Sequence, residues 1–398
     1  MKFLFSIFLF SVFCLDTTAQ HVQSIADSNN SFAFKLYSEI NKGKKGNLFF
    51  SPFSISTALA MTYAGSRNET EKQMSQTLHF NRDQQVFQAQ YKSYLDTIEA
   101  DTGKGLIMGI ANSIWVANTC KILSPFSEAV KDDYNSESRN TDFAGQSEQS
   151  RQEINSWVED KTHNKIKDLI AKGLIDGTTR LVLVNAIYFK GKWQSSFKQN
   201  NTHKGIFNIT DSVGDSTEFM NKIWRYKYYK DSIIQAIEIP YMGGSISMLI
   251  ILPNEISGIK KIEKKLDDTY YLKILNNKLY ENTTLSLPKF KTTLGSILNP
   301  PLSDMGMPVA FSSDADFSGI ANEGLKIGFV VHKAFINVSE EGTEAAAATG
   351  VGMMLMSAAP PRTPPVSFIA NHPFIFIIKD NATGSILFMG KITNPTKE

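Results

Sequence analysis

Nine consecutive residues, Leu181-Val182-Leu183-Val184-Asn185-Ala186-Ile187-Tyr188-Phe189, form a run that is apolar on both faces of an extended chain. Strands that face water on one side alternate in polarity, whereas this run does not, so it suits a central strand covered on both sides. The chain must therefore build a sheet with a layer above and a layer below it. Asn185, in the middle of that run, must find partners there, because a buried polar group without them costs about 1–3 kcal/mol.

Other polar residues sit in similarly apolar surroundings. His332 shares a strand face with Val330, Ala334, Ile336 and Val338, and Ser51 and Ser54 begin a helix that reads as buried. Each has either a local partner or a place in one shared hydrogen-bond cluster. The second arrangement suits a sheet that must open, since such bonds are exchangeable.

The rest of the chain mixes helices and strands. Phe32, Leu36, Tyr37 and Ile40 fall at helical spacing behind Ser31, a cap residue. Ser51-Pro52 reads as a cap followed by a first-turn proline, leading Ile55, Leu59 and Tyr63 along one side. Residues 150–172 read as an amphipathic helix with Ile154, Trp157, Ile166 and Ile170 on its apolar face. Ile233 to Met242 and Ser245 to Pro253 flank Gly243-Gly244, a hairpin signal. Val330 to Val338 is a further strand, and Phe374 to Lys379 pairs with Ser385 to Ile392. No repeat or linker divides the chain, which reads as one α+β domain with helices first and sheets after.

From Val338 to Phe374 the composition changes. Glu340-Glu341-Gly342-Thr343-Glu344-Ala345-Ala346-Ala347-Ala348-Thr349-Gly350 leads through Met353-Met354-Leu355-Met356-Ser357 to Pro360, Pro361, Pro364 and Pro365. Small residues, an apolar patch and prolines make an exposed loop with side chains a protease would take. As a strand, one face would carry Thr343, Ala345, Ala347, Thr349, Val351, Met353 and Leu355, all small or apolar. The other would carry Glu344, Ala346, Ala348 and Gly350, with Gly342 as a pivot before them. A flexible alanine-rich linker has the same composition.

Composition excludes several functions. With a formal net charge of +2, the chain gives no reason to expect a nucleic acid or an acidic membrane as partner. The basic spots at Lys42, Lys44 and Lys45, and at Lys260, Lys261, Lys264 and Lys265, read as solvated faces. There is no Gly-x-Ser-x-Gly elbow, phosphate-binding glycine loop or His-Glu-x-x-His, and the six histidines have no metal-ligand spacing. Thr102-Gly103-Lys104-Gly105 is a turn rather than a P-loop. The expectation is a non-enzyme with no cofactor and no metal.

Residues 1–19 read as a signal peptide: Lys2, an apolar stretch from Phe3 to Leu15, then Thr17 and Ala19 at cleavage spacing before Gln20. That stretch is too short to span a bilayer as a helix. Lipidation at Cys14 is the weaker reading, because bulky Phe13 stands where a small residue is wanted. Cleavage leaves Cys120 alone and so no internal disulfide, and the mature chain 20–398 reads as secreted and extracellular, or periplasmic in a bacterium. Glycosylation sequons stand at Asn29, Asn68, Asn200, Asn208, Asn282, Asn337 and Asn381.

Across almost the whole mature chain the sequence resembles a serpin. The resemblance is carried by Asn47-Leu-Phe-Phe-Ser51-Pro52-Phe-Ser54-Ile55, Val184-Asn185-Ala-Ile-Tyr-Phe-Lys-Gly-Lys-Trp193 and Leu287-Pro288-Lys289-Phe290. Val331-His332-Lys333-Ala334, the stretch Glu340 to Ala348, and His372-Pro-Phe through Leu387-Phe-Met-Gly390 continue it in order. It implies the serpin fold, α+β with three β-sheets, eight or nine helices and an exposed reactive-centre loop over residues 340–365. It also implies a suicide substrate of serine or cysteine endopeptidases. The loop is cleaved, the protease is held as its acyl-enzyme, and the cut loop inserts into the central sheet; serpins are a standard example of strand insertion that releases stored strain.

By position, Ser51, Ser54, Asn185 and His332 match the family's shutter, and Trp193, Lys289 and Glu340 match the breach where the loop first enters. The hinge matches Glu340, Gly342, Thr343, Glu344, Ala345, Ala346, Ala347 and Ala348, whose small residues resemble inhibitory members. Family spacing puts the reactive bond at Met356-Ser357, which suits a protease with an apolar primary pocket. The stretch before Phe368 departs from the family by a few extra residues, so Leu355 and Arg362 are alternatives, the latter for a trypsin-like enzyme. The stretch Asp83 to Lys104 lacks the positive residues of a heparin-type site, and a monomer is expected. The rival readings are a non-inhibitory serpin acting as ligand carrier or chaperone, and an enzyme.

Overall fold

A computed structural model of the chain describes residues 24–81, 83–100, 106–343 and 364–397. Among them are nine α-helices and two hydrogen-bonded sheets, one of six strands and one of nine. The expected signal peptide and the hinge and loop positions from Glu344 to Arg362 lie outside the described residues.

The apolar run becomes the strand Leu181–Lys192, and Leu181 to Phe189 are all buried. It lies inside the six-stranded sheet, whose order is Phe290–Ile297, Phe329–Ser339, Gly342–Thr343, Leu181–Lys192, Leu106–Ala117 and Glu137–Thr141. One face packs on the main core through Leu183, Ile187 and Phe189. The other face packs through Val182, Val184 and Ala186 on a second core with Trp115, Ile154, Val158 and Ile170. The two-sided pattern of the sequence is explained by these two cores.

Beneath the sheet runs the helix Pro52–Ala64, every residue of which is buried. Ser51 caps it as expected: its hydroxyl accepts from the Ser54 N–H at 3.1 Å, and Pro52 fills a first-turn position where no donor is needed. Because the whole helix is enclosed, it carries no polar stripe.

In the nine-stranded sheet the hairpin Ile234–Pro240 and Ile246–Pro253 turns through Gly243 and Gly244, at φ of 89° and 76°. Phe374–Asp380 pairs with Ile386–Ile392. The long strand Gly214–Lys230 pairs with Thr202–Asn208 and Leu279–Pro288 along its length and with Ile234–Pro240 at its end. It thereby joins two of the three expected sheets into one hydrogen-bonded path.

Three local expectations are corrected. The first helix covers residues 24–41, so Ser31 lies inside it, where its hydroxyl donates to Asp268 at 2.8 Å. The helix expected over 150–172 is Ser147–Lys161; His163, Asn164 and Asp168 take left-handed conformations beyond it. Ile166 and Ile170 are buried all the same, and the Asn155 amide holds Ile170 through its N–H at 2.8 Å and its carbonyl at 3.0 Å. Finally, the first part of the chain is not helical throughout, since it also supplies Leu48–Phe50 and Leu106–Ala117.

Candidate functional site

The two central strands of the six-stranded sheet form a fork. Phe329–Ser339 and Leu181–Lys192 pair directly and in parallel from Phe329↔Val182 to Phe335↔Tyr188. Beyond that point they separate, and Gly342–Thr343 lies between them. Thr343 pairs with Gly191 on one side and Val338 on the other, and Gly342 pairs with Lys192 and Ser339.

Local chemistry explains this seat. Gly342 has φ 151°, and a Cβ there would stand 2.0 Å from the Gly191 carbonyl oxygen, so glycine is required. Thr343 is fully buried, and its hydroxyl lies 2.6 Å from that of Tyr241. Burial raises the Tyr241 phenol, which stays neutral and able to donate. Tyr241 stacks on Trp193 at 4.5 Å between ring centroids.

The breach residues converge around the same turn. The Trp193 indole donates to the Ser339 carbonyl at 2.9 Å, and its backbone N–H donates to the Glu341 carbonyl at 3.0 Å. Lys289 reaches Glu340 at 3.4 Å and Glu218 at 3.1 Å, while the Thr202 hydroxyl donates to Glu340 at 2.9 Å. Burial works against both charges. It pulls Lys289 down and pushes Glu340 up, but their mutual pairing and hydrogen bonds win, leaving the lysine raised and the carboxyl lowered.

At the fork's base the shutter residues meet as one cluster. Asn185 and His332 are direct register partners. The Ser51 N–H donates to His332 Nε2 at 3.2 Å, so Nε2 is bare and the ring proton sits on Nδ1, which donates to the Asn185 carbonyl oxygen. The Asn185 amide donates to Ser54 Oγ at 2.5 Å and also to the Asn112 carbonyl oxygen. Ser51 Oγ donates to the Leu387 carbonyl at 2.6 Å. With no ionic partner, burial depresses His332 to about 3, so the imidazole is neutral.

Two participants escape sequence reasoning. Asn112 joins the cluster from the strand Leu106–Ala117, accepting from Ser54 Oγ at 3.2 Å. Its signal resembles that of Asn185, an asparagine inside a largely apolar run, weakened by Ser113 beside it. Tyr241 carries no such signal, because an aromatic at a strand end is ordinary core. The positions Ala345 to Ala348, Leu355, Met356, Ser357 and Arg362 fall outside the described residues. Among the described residues, no cluster of acidic, histidine or cysteine side chains suits a metal.

The site therefore consists of a forked sheet, the buried pair Gly342–Thr343 between its two central strands, and a polar cluster at the fork's base. The family profile for serpin (serine protease inhibitor) matches residues 27–395. Leukocyte elastase inhibitor of Sus scrofa is 38% identical, the match covering 94% of this chain and all of that protein. Serpin48 of the insect Tenebrio molitor, described as highly specific, aligns with a TM-score of 0.85 at 32% identity, over 94% of this chain and 98% of that one. Human thyroxine-binding globulin in complex with thyroxine aligns with a TM-score of 0.85 at 29% identity, over 95% of this chain and all of that one. The chain belongs to the serpin family, a family of protease inhibitors rather than enzymes.

Proposed function

We propose that the protein is a secreted inhibitor of serine endopeptidases that acts as a suicide substrate. A protease with an apolar primary pocket attacks the loop at Met356-Ser357, with Leu355 and Arg362 as alternative positions for the bait. The enzyme is held as its acyl-enzyme while the hinge from Glu340 to Ala348 zips into the fork between Phe329–Ser339 and Leu181–Lys192. The protein acts as a monomer, without cofactor, outside the cytoplasm once residues 1–19 are removed; among the described residues no helix is long and apolar enough to cross a membrane.

One observation carries this reading: Thr343 already occupies the fork, fully buried and paired on both sides. The small residues that follow it, Ala345 and Ala347 on the same face, match what the sheet would accept. About a dozen further residues would add a strand near 40 Å long. Its hydrogen bonds contribute about 1 kcal/mol each, besides apolar burial. The uncut form withholds these gains and is kinetically secured.

A ligand carrier is the second reading, favoured by the likeness to thyroxine-binding globulin. The test that separates the two is incubation with elastase-like, chymotrypsin-like and subtilisin-like proteases, followed by denaturing electrophoresis. A covalent complex supports the inhibitor. Clean cleavage by all of them, with no complex, favours the carrier.

A further inference from the structure

The strand Gly214–Lys230 belongs to the nine-stranded sheet, yet one of its side chains grips the turn that follows the central strand Leu181–Lys192 of the other sheet. Lys222 Nζ donates to the Ser195 carbonyl at 2.7 Å, to the Ser195 hydroxyl at 2.5 Å and to the Ser196 carbonyl at 2.9 Å. An ammonium has three N–H donors, so all of them are used on this one turn. The same ammonium lies 4.9 Å from the Trp224 ring centroid and 5.9 Å from that of Phe197, both within cation–π reach. Burial, followed by the nearby Lys198, lowers the amine to about 8, so most of it is still charged at neutral pH.

The gripped turn is also where the chain before the hinge is attached. The Trp193 N–H donates to the Glu341 carbonyl at 3.0 Å, and the Phe197 N–H donates to the Glu340 carbonyl at 2.9 Å. Those two carbonyls immediately precede Gly342–Thr343, the pair seated in the fork. Phe197 is buried and lies edge-on to Trp193, 6.4 Å between ring centroids. Residues 194–198 form no helix or strand. Between Gln194, whose N–H donates to the Pro240 carbonyl at 2.9 Å, and Phe197, it is the Lys222 ammonium that fixes the backbone.

We propose that Lys222 is a positioning residue for the hinge. Its ammonium holds the turn so that the Trp193 and Phe197 N–H groups meet the Glu341 and Glu340 carbonyls, and this fixes where insertion begins. Hydrogen bonds from a charged donor are stronger than those from a neutral one, so removing the charge loosens the turn before it disturbs either sheet. The consequence for inhibition rests on the inhibitor reading above, whereas the clasp itself does not.

Amide hydrogen exchange over residues 193–197 of the full chain is the direct readout. Lys222→Met keeps an apolar stem against Trp224 and Phe197 but removes the charge, and exchange there should be about tenfold faster than in the parent. Lys222→Ala should behave alike and be restored by n-propylammonium but not by n-propanol, a rescue that lost packing alone would not show. Ser195→Ala, which removes one acceptor and keeps both carbonyls, should accelerate exchange less. Exchange at the parent rate in Lys222→Met, or failure of n-propylammonium to restore Lys222→Ala, would overturn the clasp. With a protease that forms a complex, Lys222→Met should consume at least about twice as much inhibitor per protease trapped, because a slower start to insertion leaves time for deacylation. An unchanged or lower consumption overturns the role in insertion. A parent that forms no complex with any protease would sink the inhibitor reading and with it this consequence, while the exchange result decides the clasp by itself.

Discussion

The Tyr241 hydroxyl lies 2.6 Å from that of Thr343, deep between two strands that elsewhere in the sheet pair with each other. Gly342–Thr343 thus lies between those strands, paired on both sides, which is where insertion would start under the proposed mechanism.

Replacing Thr343 by arginine tests that starting point. Thr343 is fully buried against Gly191, Val338 and Tyr241, so a guanidinium seated there would have to be desolvated. Thr343→Arg should fold, with the hinge outside the sheet, and behave as a substrate that is cut without forming a complex. Full retained inhibition would count against insertion.

Gly342→Ala acts on the same turn by a different route. Its Cβ would meet the Gly191 oxygen at 2.0 Å, in a backbone conformation that alanine resists. The seated hinge should lose about 2 kcal/mol or more, seen as faster hydrogen exchange at Thr343. Unchanged protection there would mean that the turn relaxes without cost.

His332 makes stability depend on pH. The imidazole is depressed to about 3 in the folded chain, against an ordinary value near 6.5 when unfolded. Between these values the unfolded chain binds the extra proton, so the stability contribution is whole above about pH 6.5 and is lost as pH falls toward 3. The loss is on the order of a few kcal/mol. Denaturant midpoints measured across that window should fall less steeply in His332→Gln than in the parent. Parallel slopes would assign the pH dependence to other groups.

Much of this was legible in the sequence, for physical reasons. The strand Leu181–Lys192 and the cap at Ser51 rest on local patterning, which tertiary structure had no cause to override. Misreadings arose where distant contacts decided. Ile166 and Ile170 sit at helical spacing from Ile154 and are buried as expected, yet in a non-helical segment, where the Asn155 side chain holds Ile170 and the Thr162 hydroxyl accepts from the Ile166 N–H. Asn112 belongs to the shutter only because its strand pairs in the register Asn112↔Asn185. The seat of Thr343 depends on Tyr241 and on the fork, neither of which alternation along the loop reveals.

The bait is tested by oxidation. Converting methionine thioethers to sulfoxides makes an apolar side chain polar, so treatment with mild oxidant should slow complex formation with an elastase-like protease if Met356 is the recognised side chain. A Met356→Leu variant should resist the treatment. Undiminished inhibition after full oxidation would move the bond to Leu355 or Arg362, which the mass of the released C-terminal fragment would tell apart.

Insertion itself is read most directly by comparing thermal unfolding before and after a single cut in the loop. A new central strand adds about a dozen hydrogen bonds and its burial, so the cut protein should melt roughly 15 °C or more above the intact one. A cut protein that melts at or below the midpoint of the intact chain would show that the fork does not take up the loop.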